Sequence, residues 1–248
     1  MLLNLSFSND LAHRFDSLYQ WLNRKYSLEQ TDLTIANNTF RFFKIANMDA
    51  VLETVLETSP NPDEETPYWA EIWPSALALA QFISREENFI AGKKTLELGC
   101  GLGIAGIAAY HSGADIVLSD IEEDALRISE LNWILNFNCP PQLQLLDWRN
   151  PSKNQQFEVI LAADVAYETR LFRPLIGTFQ KLLAPGGTIF LSEPNRSIAS
   201  RFFEMLKEEN FNLEKQNERV WFEGRESNVS VYKIWLKSLL RISSKFIV

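Results

Sequence analysis

Thr95-Leu-Glu-Leu-Gly-Cys-Gly-Leu-Gly103 runs an apolar strand, with Glu97 near its end, into glycines at three alternate positions. An Ala/Ile-rich helix follows at 104–112. Glycines this dense leave no side chain between the backbone and a ligand, and they accept dihedrals that a Cβ resists. The start of the helix offers N–H groups with no partner inside the helix. Together these features describe a nucleotide-type ligand site at the tip of a first β-strand. The ligand itself stays open, because Gly101-x-Gly103-x-x-Gly106 also satisfies the dinucleotide fingerprint, with Asp120 roughly where its ribose-binding acid falls.

Downstream the pattern alternates. The spacing predicts strand 116–119, helix 124–137, strand 143–146 and a loop, then strand 159–163 and helix 170–183. A turn at Pro185-Gly186-Gly187, strand 188–192 and helix 198–209 follow. Runs 212–216 and 228–236 lack a helix between them and read as an antiparallel hairpin at a sheet edge. Apolar strands alternating with helices predict an α/β fold, a Rossmann-like doubly wound sheet of seven mostly parallel strands covered on both faces.

Upstream, residues 9–27 carry Leu11, Phe15, Leu18, Tyr19 and Leu22 on one helical face, with Ser8 or Asn9 as cap. Residues 32–57 read as short strands around an Asn-Asn turn, then a helix. The stretch 59–65 has two prolines, three acids and no apolar residue, which marks a linker. Two parts are therefore expected: an extension over 1–65 and the main domain over 66–248. Pro74 and Ser75 open a helix whose Ala76, Leu79, Ala80 and Ile83 share a face, and the tail 237–248 is expected to pack onto the domain.

The net charge of −8 opposes a binder of phosphate backbones, whose affinity rests on Lys and Arg. Two cysteines and two histidines form neither a disulfide framework nor a zinc-spaced cluster, so no metal is expected and a reducing, cytoplasmic setting is. No apolar run is long enough for a membrane span, and no signal peptide is read.

Three features tilt the glycine loop away from dinucleotides. Glu97 lies two residues before Gly99, where a pyrophosphate would repel it. An acid there suits a loop backbone or, at one remove, a cationic amino-acid moiety. The loop also comes late in the chain, and Asp147-Trp148 after the third strand could flank an adenine. Asp120 is placed to grip ribose hydroxyls, or else to cap the helix at 122–137. Trp148 is either an adenine wall or core packing, and Cys100 is a small filler within the loop. Beyond strand 159–163, Asp164 and Tyr167 would project into the crevice where strand order reverses. There they would hold an incoming amine, or else cap a helix and pack on the surface.

Residues 95–103, Asp120, Asp147-Trp148, Asp164-Val-Ala-Tyr167 and Leu183-Ala-Pro-Gly-Gly187 together resemble a class I S-adenosylmethionine-dependent methyltransferase. Pro67-Tyr-Trp-Ala-Glu-Ile-Trp-Pro-Ser-Ala76, with Asp-x-x-Tyr after the fourth strand, resembles the family-16 protein-lysine methyltransferases. Leu191-Ser-Glu-Pro-Asn-Arg196 is similar to the branch acting on the electron-transfer flavoprotein β-subunit. The resemblance covers about 66–236 and implies that Trp73, the Gly99–Gly103 loop, Asp120, Trp148 and Ala163 touch S-adenosylmethionine. It also implies that Asp164 and Tyr167 position a lysine of a protein substrate, and it gives Arg196 no role. A monomer is expected. A small-molecule methyltransferase and a nicotinamide-dependent oxidoreductase stand as the alternatives.

Overall fold

The computed structural model describes residues 8–61, 66–151 and 155–237. The expected linker therefore lies partly outside them, at 62–65, as does nearly all of the tail. Helix α1 (Asn9–Tyr26) starts where the Ser8 hydroxyl accepts the Leu11 N–H, and it buries Leu18 and Leu22. Strands β1 (Leu28–Ile35) and β2 (Asn38–Ile45) pair antiparallel across Ala36-Asn37, one residue earlier than the Asn-Asn turn expected. Helix α2 (Met48–Thr58) follows.

The main sheet is built from β3 (Lys94–Leu98), β4 (Asp115–Asp120), β5 (Gln142–Leu145), β6 (Phe157–Ala163), β7 (Leu183–Glu193), β8 (Phe211–Phe222) and β9 (Arg225–Leu236). Their order is β5-β4-β3-β6-β7-β9-β8, with β9 antiparallel to both neighbours and the first five strands parallel. The closing hairpin is longer than runs 212–216 and 228–236 indicate, because pairing continues from Asn217↔Ser230 to Phe222↔Arg225. Pro185-Gly186-Gly187 is not a free turn between elements. It bulges within β7, whose register with β6 jumps between Phe157↔Leu183 and Val159↔Thr188.

Helices α3 (Pro74–Arg85), α4 (Ile104–His111), α5 (Glu123–Phe137), α6 (Thr169–Leu182) and α7 (Ala199–Glu208) cover the sheet. Successive strand side chains point to opposite faces, and two buried clusters form accordingly. Ile116, Leu118, Val159, Leu161 and Phe190 pack with α1, α3, α4 and α5. Leu96, Leu98, Val117, Ile160, Ala162, Ile189 and Leu191 pack with α6 and α7. The N-terminal hairpin joins the first cluster, so α1 and β2 lie directly on α5. Arg14 grips Glu130 with two hydrogen bonds, at 2.8 and 2.5 Å. The Asn132 amide accepts the Phe43 N–H at 2.7 Å and donates to the carbonyls of Phe43 and Leu102.

Candidate active site

The chain reverses its winding between β3 and β6, so their carboxyl ends open a crevice there. A cavity of about 770 Å³ fills it, within the span usual for small-molecule sites. All eleven residues singled out by sequence line it except Gly103, which lies behind, against Ser129.

One wall is the glycine loop. Gly101 takes φ +51, and a Cβ on it would sit 2.8 Å from the Trp69 carbonyl oxygen. Glycine is needed here less to bare the backbone to a ligand than to let the strap 66–73 cross the loop. Trp73 belongs to that strap, and its indole N–H donates to the Tyr68 carbonyl at 2.8 Å. On the other side, Trp148 lies beside Gly99, its Cζ2 at 3.2 Å from where a Cβ would be.

Asp120 closes β4. Its Oδ2 accepts the Gly101 N–H and its Oδ1 the Glu122 N–H, both at 3.0 Å. Glu122, not Asp120, stands at the N-cap of α5. An ionised carboxylate offers about four acceptor positions, so acceptor capacity is left for a ligand hydroxyl. Burial pushes its carboxyl up to about 6. Glu97 is deeper: its Oε2 accepts the Gly106 N–H of α4 at 3.0 Å, and burial pushes it up to about 8. Burial likewise drives the Cys100 thiol upward, consistent with a filler rather than a nucleophile.

The opposite wall is the β6 end. Ala163 is followed by Asp164, held at φ +58, a left-handed conformation that Asp tolerates better than most residues. Its side chain is only 8% exposed. Oδ1 accepts from the Arg196 guanidinium, and Oδ2 is buried with no hydrogen-bond partner among the described residues. Asp164 does not cap α6, whose N-cap is Glu168. Arg196 is braced by Glu193, which accepts its backbone N–H at 3.0 Å. Tyr167 is exposed at the rim, its ring 6.4 Å from that of Tyr68. The sequence alone assigns no role to Arg196, Tyr68 or Trp69. All three lie inside the Pro67–Ala76 and Leu191–Arg196 motifs, but only the fold brings these segments to one cavity.

A profile of the family described as lysine methyltransferase matches residues 61–209. The chain belongs to that family. It is 29% identical to an EEF1A lysine methyltransferase 3 of Mus musculus over 66% of this chain and 71% of that one. It is 35% identical to the electron transfer flavoprotein beta subunit lysine methyltransferase of Danio rerio, over 56% of this chain and 53% of the relative. Among solved structures, a magnesium protoporphyrin IX methyltransferase of Synechocystis shares the fold at 14% identity, with a TM-score of 0.51 over 75% of this chain and 97% of that one. This family member is an S-adenosylmethionine-dependent methyltransferase with the expected Rossmann-like sheet. Its cavity fits that group: the buried carboxylate at the β4 tip has acceptor capacity to spare, and the Trp148 indole lines the same cavity beside Gly99.

Proposed function

We propose that this methyltransferase acts on the ε-amine of a lysine exposed on a protein. In this reading Trp73, Glu97, Gly99, Cys100, Gly101, Gly103, Asp120, Trp148 and Ala163 build the cofactor side, and Asp164 and Tyr167 the acceptor side. The observation that carries it is the Asp164 carboxylate, with one oxygen held by Arg196 and the other buried at the cavity wall with no hydrogen-bond partner among the described residues. A buried acceptor left unmatched costs stability, and an incoming N–H would satisfy it. The names of the relatives support a lysine on a protein, and the charge of −8 supports a protein over a nucleic acid. The proposal includes a monomer in the cytoplasm and a division into an extension over 1–65 and a catalytic domain over 66–248.

S-adenosylmethionine, when bound, supplies an electrophilic methyl group on a positively charged sulfur. Lysine in water has a pKa of about 10.4, so the reactive neutral amine is scarce at neutral pH. Val165, Tyr68 and Tyr167 would desolvate the amine, which favours its neutral form, and the proton departs to water. Asp164 Oδ2 would then accept one of the two remaining N–H groups and so fix the direction of the nitrogen lone pair. Arg196 holds that carboxylate in place and offsets its charge, so the site does not trap the unreactive ammonium. Most of the acceleration comes from alignment.

Asp164→Asn keeps a side chain that tolerates the left-handed backbone. Methyl incorporation into protein extract is expected to fall about 100-fold, while calorimetric affinity for S-adenosylmethionine stays within about threefold. Unchanged incorporation would refute the role of Asp164.

A further inference from the structure

We infer that Tyr26, the last residue of α1, is a positioning residue for the cofactor site, holding the Trp69 strap across the glycine loop. The inference rests on the cofactor lying against Gly101 and Asp120, as proposed above. The Tyr26 ring meets the Trp69 indole edge-on, with centroids 5.4 Å apart and planes at 80°. Its hydroxyl donates to Asp124 Oδ2 at 2.5 Å, and Lys25 donates to the same oxygen at 2.7 Å. Asp124 sits in the first turn of α5, just past the Asp120 that closes β4. One side chain therefore ties together two walls of the cavity: the strap and the β4–α5 turn.

The consequence for the site follows from contacts already in place. The Trp69 carbonyl occupies the space that any side chain at position 101 would need. Gly101 in turn donates its N–H to Asp120. If Trp69 shifts, the loop loses its outer support at the residue that helps to orient the Asp120 carboxylate. Burial, with the bond to Asp124, pushes the Tyr26 phenol up to about 12, so it stays a donor across the working range. The family profile begins at residue 61, so this brace comes from the part of the chain that the profile does not match.

A brace must be distinguished from docking of α1 as such. Arg14 supplies the control, because its two bonds to Glu130 also tie α1 to α5 but at the other end of α1. We expect Tyr26→Ala to weaken S-adenosylmethionine binding, measured by calorimetry, about tenfold. Tyr26→Phe, which keeps the ring on Trp69 but loses the bond to Asp124, recovers only part of that loss. Arg14→Ala stays within about twofold of wild type even when its Tm falls as far. In the cofactor-free protein, amide exchange at 66–73 and 99–103 should quicken in Tyr26→Ala and not in Arg14→Ala. Affinity in Tyr26→Ala within about twofold of wild type, or equal losses in both alanine variants, would overturn the inference. Failure of the wild-type protein to bind S-adenosylmethionine would instead overturn the cofactor placement.

Discussion

Glu97 lines the cavity from inside the core, and its hydrogen bond fixes the helix behind the glycine loop. The sequence places an acid where a loop backbone or a cationic moiety could use it. In the structure its hydrogen bond goes to Gly106, inside α4, and only 2% of the residue is exposed. Burial raises its pKa to about 8, and the neighbouring Asp120 carboxylate adds to the rise. An unfolded glutamate titrates near 4.3. Between those values the folded chain holds more protons than the unfolded one, so stability is fully present below about pH 4 and declines as pH rises toward 8. Asp120, raised to about 6, steepens the lower part of that decline. Glu97→Gln keeps an acceptor for Gly106 and removes the ionisation. Denaturant unfolding of the cofactor-free protein at pH 5 and pH 8 should show a smaller difference in the variant than in wild type. Equal differences would show that Glu97 does not ionise in this way.

Among the elements, α4 is the one whose sequence leaves least freedom. A Cβ on Gly106 would fall 2.2 Å from Leu118 Cδ2 and 2.4 Å from Glu97 Oε2, so the helix lies on the sheet as closely as glycine allows. Gly106→Ala forces α4 off β4 and is expected to cost at least about 1–3 kcal/mol. It should also weaken S-adenosylmethionine binding, because α4 carries the end of the glycine loop. Unfolding curves and calorimetry on the same sample check both, and a variant as stable as wild type would mean that the helix sits further out. This helix was legible in sequence because its spacing and its glycines are local. The Pro185-Gly186-Gly187 segment was less so: turn chemistry is present, but whether it ends a strand or bulges within one depends on pairing with β6. The long β8–β9 hairpin was half visible for the same reason. Beyond the expected run, polar Asn217-Glu218-Arg219 pairs because the partner strand is there, and this carries the ladder on to Val220, Trp221 and Phe222.

At the level of the whole molecule, the mostly parallel sheet and the two-faced core follow from alternating strands and helices, which sequence periodicity carries well. The attachment of the N-terminal hairpin follows from contacts across about ninety positions, such as Phe43 with Asn132, and no local pattern announces those. The same holds for Arg196, which reaches Asp164 only because β6 and β7 are neighbours. The fold brings the ends of β3 and β4 and the Asp164 carboxylate beyond β6 to one cavity, where the proposed function puts the cofactor and the acceptor amine. The acceptor is the central claim, and it is tested most directly by incubating the protein with isotope-labelled S-adenosylmethionine and protein extract, then locating the label by mass spectrometry. Label on a lysine Nε, absent when Asp164→Asn replaces the wild type, is the expected result. Label on arginine, histidine or a small molecule, or lysine label undiminished in the variant, would contradict it.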